Sequence, residues 1–259
     1  MATNIKGTGI LWVTGNISKS GPLTEPEFTK WYDKDHVPEI VETSGIDNAF
    51  RSVHVDKASP YGTSGCPKPF LTFYTTKDLA FTQGDEFRKI KVKSDLLPGS
   101  QIIYDLADID VGYYALIGKS GKASSEGLKF FLTSAIEPRP EEKDEDVNAF
   151  FDQQTATISK VQGYLHSRRF RLQYARTNAQ SRVLKGLAPA SNEPAPEPPT
   201  WMVVHSFYTE PTSDVREIIT KDRHEVLKRA KQNQTDAYRL AKAQGKGRFF
   251  DEDEDGIPQ

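Results

Sequence analysis

An aromatic pair followed by an aspartate occurs twice in this chain, far apart, and each copy opens a helix-like stretch. Trp31-Tyr32-Asp33 leads into Lys34-Asp35-His36-Val37-Pro38, and Phe150-Phe151-Asp152 leads into Gln153-Gln154-Thr155-Ala156-Thr157. The two copies run in register, so that His36 is answered by Thr155. After one residue of slip, Gly45 is answered by Gly163 and Arg51 by Arg169, and further on Phe73-Tyr74-Thr75 returns as Phe207-Tyr208-Thr209. A repeat of this length points to two copies of one folding unit, not to the short period of a solenoid. Whatever forms around Trp31 must therefore be able to form again around Phe150, and only the first copy carries an ionisable imidazole.

The elements follow from local pattern. Gly9 to Thr14 is a short apolar run of strand type. Thr24 is a fit N-cap, with Pro26 and Glu27 in the first turn behind it. Apolar residues then recur at helical spacing through Phe28, Trp31, Tyr32, Val37, Ile40 and Val41, with Pro38 expected to kink or break the helix and Gly45 to end it. Residues 49–55 and 70–74 read as strands, 83–97 as a helix, and 102–117 as strand-rich. The order then returns: a strand over 128–135, a helix over 141–161, strands over 164–174 and 201–208, a long charged helix over 222–244, and a short last strand over 248–250. Each half is βαββα(β), the order of a ferredoxin-like unit. The expected fold class is α+β, two fused ferredoxin-like repeats closing into one pseudo-dimeric α+β barrel. The repeats are set at 1–122, carrying the site, and 123–250, degenerate, followed by an acidic tail over 251–259 (DEDEDGIPQ) expected to be disordered. The Pro-rich 188–199 is expected as an extended surface loop.

Composition removes several function classes. Lys plus Arg number 34 and Asp plus Glu 36, for a net charge of −2, which gives no electrostatic case for nucleic acid or an anionic membrane surface. One cysteine, Cys66, excludes an internal disulfide and is expected as a buried or partly exposed free thiol. There is no Cys/His metal spacing, no Walker spacing around Gly118 to Gly121, no Gly-x-Gly-x-x-Gly and no Gly-x-Ser-x-Gly. The start lacks the apolar core of a signal peptide and no run approaches a membrane span, so a cytoplasmic location is expected. No cofactor is expected, and the sequence leaves open a further pairing of two chains into a homodimer.

His36 is the candidate for proton chemistry, because an imidazole titrates near neutral pH. Asp33 lies three residues earlier, which on a regular helix puts both side chains on roughly one face, where the carboxylate orients the ring. A histidine packed on the sheet with one satisfied hydrogen bond is the plain alternative. Phe28, Trp31 and Tyr32 are the candidate apolar walls. Arg51, His54, Tyr74, Tyr104, Tyr208 and His205 are the further candidates. Arg51 and Arg169 are architectural ion-pair partners or, alternatively, anion clamps. His166, Arg168, Arg169 and Arg171 make a basic strand, and His224 is expected on a solvated helix face.

The string from Trp31 to Ser52 resembles the signature of the EthD-like proteins of the dimeric α+β barrel superfamily: an aromatic pair and a polar residue, then His36-x-Pro38, Gly45, and Ala49-x-Arg51. The resemblance is specific over that stretch, looser over the rest of the first half, and one of element order alone in the second. It implies two four-stranded sheets closing into a barrel, helices outside, and a pocket between sheet and helix into which the first-helix histidine points. Relatives of that superfamily include cofactor-free monooxygenases, lactone isomerases, polyketide cyclases and decarboxylases, and haem enzymes, so fold alone does not choose a reaction. The leading expectation is a cofactor-independent enzyme, lyase or isomerase of cyclase type, acting on a hydrophobic carbonyl or polyketide-like compound with His36 as acid or base. The alternatives are a cofactor-free monooxygenase on a quinol or anthrone, haem held by an axial histidine, and a non-catalytic small-molecule-binding barrel.

Overall fold

The computed structural model describes residues 5–121, 127–188, 197–212, 215–221 and 225–245. The acidic tail, the short strand expected over 248–250, His224 and most of the Pro-rich segment lie outside these.

Eight antiparallel strands close into a barrel. In chain order they are β1 (Gly9–Ile17), β2 (Ile46–His54), β3 (Phe70–Thr76), β4 (Ala107–Gly121), β5 (Phe130–Glu137), β6 (Tyr164–Arg176), β7 (Trp201–Phe207) and β8 (Gln232–Gly245). Around the barrel they run β1-β3-β2-β8-β5-β7-β6-β4. Strands β4-β1-β3-β2 thus form one four-stranded group, and β8-β5-β7-β6 form the other in the same relative order. The groups are joined where β2 pairs β8 and β4 pairs β6. Full closure leaves no edge strand to manage.

The side-chain alternation of the strands divides the core in two. Ile10, Phe50, Phe73, Tyr114, Phe131, Phe170, Val204 and Tyr238, from all eight strands, fill the barrel interior. Phe73 stacks on Phe50 at 4.9 Å and meets Phe131 edge-on at 5.1 Å, so aromatic rings occupy the lumen. The outward faces are covered by helices. That is why β3 and β7 are buried at every position and read in sequence as unbroken apolar runs.

The first outer layer is built by α1 (Glu25–Trp31), a π-helical turn (Tyr32–His36) and α2 (Val37–Val41). Thr24 and Glu27 form a reciprocal capping box at the start of α1, with Pro26 in its first turn. Pro38 does not break the helix. The chain widens before it, with the Val37 N–H bonding the Tyr32 carbonyl five residues back, and the π-turn absorbs the amide hydrogen that proline lacks. The matching helix of the second half is α5 (Asp144–Ile158).

Several expectations are corrected. Residues 83–97 are not one helix: a 3₁₀ turn (Leu79–Gln83) and the single-turn α3 (Asp85–Arg88) give way to turns, followed by α4 (Ile103–Leu106). Of the helix expected over 222–244, the described residues are helical only in α8 (Glu225–Arg229), which follows α7 (Val215–Lys221), and 232–244 belong to strand β8. The stretch QNQTDAYRLAKAQG is rich in helix formers, but pairing with β2 on one side and β5 on the other decides its state. The helix α6 (Asn178–Leu184), closed by a Thr177–Gln180 capping box, had no counterpart in the expected elements. Gly163 takes the left-handed conformation (φ 89°), whereas Gly45 does not. At Gly45 an added Cβ would lie 2.2 Å from the Phe81 ring, so close packing requires that glycine.

Candidate active site

The π-turn determines where His36 points. A regular helix would set residues five apart at about 140° to each other. A turn closed by an i to i+5 bond instead lays them one above the other, and His36 stacks on Trp31 with ring centres 4.5 Å apart and planes 17° apart. The Tyr32 ring meets His36 edge-on at 5.6 Å. The same turn separates His36 from Asp33. Asp33 is held by Arg51 of β2 through two hydrogen bonds, Nε to Oδ1 at 2.8 Å and a second guanidinium N–H to Oδ2 at 3.0 Å, with Lys242 Nζ 3.6 Å from Oδ2. The expectation that Asp33 orients the imidazole is therefore corrected: the carboxylate faces the sheet and its cation.

His36 lines a cavity under α1 and α2, with Trp31, Tyr32, Ile40, Leu11, Val13, Tyr74 and Tyr104 among its walls. Its volume is about 60 Å³. A site of about 150 Å³ holds benzene, so a fused-ring ligand enters only if a wall moves, and a haem macrocycle does not fit. Part of the wall is formed by Phe87 of α3 and by Ile90 and Val92 of the turns that follow it. A second space of about 80 Å³, lined by Thr82, Gln83, Arg88, Tyr174 and Leu184, shares Phe87, Arg176 and Lys185 with the first.

The walls are mostly apolar, and that sets the electrostatics. His36 retains partial exposure as a residue, but its Nδ1 is sealed from solvent and has no hydrogen-bond partner among the described residues. Loss of solvation governs the ring. Burial pushes its pKa down to about 4, Asp35 opposes this, and Lys185 adds to it, so the imidazole is neutral at pH 7. The Tyr74 hydroxyl is also buried without a partner, and burial raises its pKa well above the ordinary tyrosine value. Burial likewise raises Tyr32 and Tyr104. All three phenols stay protonated near neutrality; the Tyr74 hydroxyl is free to donate, whereas those of Tyr32 and Tyr104 also meet Thr72 and Ser181.

The remaining candidates are elsewhere. Phe28 packs on Tyr32 and Phe70 behind the cavity. Arg51 serves Asp33, and its counterpart Arg169 reaches Asp152 and Asn148 on α5, so the ion-pair reading holds for both. Arg171 pairs with Asp144 and lies over the Trp201 ring at 4.2 Å, which accounts for much of the basic strand. His54 is on the opposite face of β2, buried against Tyr238, with Asp236 3.4 Å from its Nε2. His205 does not join His36. It is fully buried beneath α5, with Nδ1 2.7 Å from Ser167 Oγ and Nε2 3.3 Å from Gln154 Oε1, and burial brings its pKa down to about 3. Tyr208 is largely exposed, and Cys66 is a buried free thiol.

Two residues escaped sequence reasoning, and both come from the second half. Arg176 ends β6, and Lys185 follows α6, which is fastened to α4 by an Arg182–Asp105 ion pair and an Asn178 side-chain bond to the Tyr104 carbonyl. Lys185 Nζ donates to the Arg88 and Ile90 carbonyls at 2.7 Å each and so pins the irregular wall. Burial and then Arg176 lower its pKa, against Glu39. Among the described residues no cluster of three or more His, Cys, Asp or Glu could hold a metal ion, and no helix is long and apolar enough to cross a membrane.

No protein-family model matches the chain, and no curated protein matches it by sequence. Solved structures do match by shape. An anthrone oxidase-like protein shares 12% identity over 94% of this chain and 94% of its own, with a TM-score of 0.53. A protein of Fusobacterium nucleatum subsp. nucleatum ATCC 25586, provisionally described as a monooxygenase, shares 12% identity over 93% of this chain and 96% of its own, also at 0.53. The fold is that of the dimeric α+β barrels. At this identity the likeness speaks for architecture alone.

Proposed function

We propose that this chain is a cofactor-independent small-molecule enzyme that removes a proton from a hydrophobic, enolisable carbonyl or phenolic compound, with neutral His36 as the base. The carrying observation is that a buried imidazole, its Nδ1 without a partner, lines an apolar cavity beside the partnerless Tyr74 hydroxyl. At rest the apolar surroundings hold the ring neutral. In the transition state the substrate becomes an anion as the ring becomes a cation, and each supplies the counter-charge that the other lacks. Tyr74 and Tyr104 donate hydrogen bonds to the developing oxyanion, and Trp31 holds the ring flat against it. Return of the proton to another carbon gives isomerisation, and attack of the carbanion on a second carbonyl gives cyclisation. Asp33 and Arg51 fasten the π-turn to the sheet and so position His36 indirectly. The EthD-like string from Trp31 to Ser52 supports this reading, as does the parallel between Asp33–Arg51 and Asp152–Arg169, which favours two copies of one unit, with boundaries near 122 and 250.

A second reading has the substrate anion, a quinol or anthrone, react with dioxygen. The fold likeness to proteins described as anthrone oxidase-like and as a monooxygenase favours it. Oxygen uptake during turnover separates the two. The shared proton-transfer step is tested with 2-indanone in deuterated water: the wild type is expected to speed exchange at the carbons next to the carbonyl about 10²–10⁴-fold over buffer. His36→Gln is expected to bring the rate back to that of buffer, and full exchange by the variant removes His36 as the base.

A further inference from the structure

Most arginines that pack against the sheets have an acidic partner: Arg51 has Asp33, Arg169 has Asp152, Arg171 has Asp144 and Arg182 has Asp105. Arg176 differs. Its guanidinium makes no hydrogen bond or ion pair among the described residues, its Nε is buried without a partner, and its one contact of note is with the Tyr113 ring, 5.4 Å from Cζ to the ring centre. It lines both spaces, standing where the His36 cavity meets its neighbour. Lys185 stands beside it with two of its three N–H donors used on the Arg88 and Ile90 carbonyls. The acid that acts on Lys185, Glu39, has its carboxylate engaged by the Lys91 N–H at 3.1 Å. The result is positive charge where the largely apolar His36 cavity meets a more polar neighbour, lined also by Thr82, Gln83 and Arg88, with a forked donor unused.

We propose that Arg176, assisted by the remaining donor of Lys185, binds the carboxylate of the substrate, which is accordingly an apolar ring compound carrying one carboxylate. The inference deepens the reading of the cavity as a substrate site and rests on it. A planar carboxylate matches the guanidinium fork in two parallel hydrogen bonds. Seating the acid group at Arg176 directs the ring toward Trp31 and His36, so the second half of the chain would select the substrate whose proton the first half removes.

The test compares benzoate with benzamide, which share a ring and differ in charge, by calorimetric titration of the full chain, with the His36 imidazole resonances reporting where each binds. Benzoate is expected to bind at least ten-fold more tightly than benzamide in the wild type. Arg176→Gln is expected to bring the two within about two-fold, and Arg176→Lys to restore part of the preference. Equal affinities in the wild type, which require no variant to fold, overturn the proposal, as does an unchanged preference in Arg176→Gln. If benzamide binds beside His36 while benzoate has no advantage, the cavity remains a ligand site and only the carboxylate assignment falls. If neither shifts the His36 resonances, both readings fall together.

Discussion

Replacing His36 by phenylalanine should make this protein less sensitive to acid. The ring keeps its stacking area against Trp31 in the variant, and the group that resists protonation is gone. In the unfolded chain the imidazole titrates near 6.5, and in the folded chain burial holds it near 4. Between those values the unfolded state binds a proton that the folded state refuses. Stability contributed by the neutral ring is therefore complete above pH 6.5 and is lost as pH falls toward 4, at about 1.4 kcal/mol for each pH unit. By pH 5 the wild type has lost about 2 kcal/mol from this residue, an upper figure because His36 keeps some contact with solvent. His166 and His205, both lowered to about 3 by burial, add losses of the same sign but are common to both proteins and cancel in the comparison. Urea unfolding at pH 7.5 and pH 5.0 measures the effect. The wild type should lose more unfolding free energy between the two pH values than His36→Phe does, by up to about 2 kcal/mol. Equal losses would show that His36 is solvated in the folded state, and the reasoning from burial would be refuted.

Tyr74→Phe removes a buried hydroxyl that has no partner, so stability should be unchanged or rise by up to about 1 kcal/mol, while 2-indanone exchange slows if the phenol serves the oxyanion. Denaturation and exchange rates on the one variant read both effects, and a large loss of stability would mean that the hydroxyl has a partner in solution. Asp33→Asn breaks a half-buried, two-bond ion pair and should cost about 1–3 kcal/mol by urea unfolding, yet the His36 imidazole should titrate as in the wild type. A fall of that titration below the wild-type value, as expected when a carboxylate that favours the charged ring is lost, would restore Asp33 as the group that orients the ring.

The barrel strands and the covering helix are legible in the sequence, because strands buried on both faces leave unbroken runs such as FLTFY and WMVVHSFY, and because the Thr24 cap and the Trp31 to Val41 period mark the helix that covers the site. Strand β8 stayed hidden: its alanines, lysines and glutamines suit a helix, and only pairing with β2 and β5 makes it a strand. The candidate site divided in the same way. His36, Trp31, Tyr32, Tyr74 and Tyr104 do share a cavity, since they lie on elements local to the first half. The partnership of Asp33 with His36 assumed a helix of regular pitch, and one π-turn before Pro38 turned the two apart. Arg176 and Lys185 were invisible as site residues because closure of the barrel, through the pairing of β4 with β6, carries the second half onto the cavity of the first.

The account depends most on an uncharged imidazole that a ligand can reach. Nitrogen NMR of the His36 ring, followed from pH 7.5 downward with and without 2-indanone, reads both properties at once. The expected spectrum is that of a neutral ring down to about pH 4, with its nitrogen shifts displaced when the ketone is added. A ring that takes up its proton near pH 6.5 and ignores the ketone would contradict it.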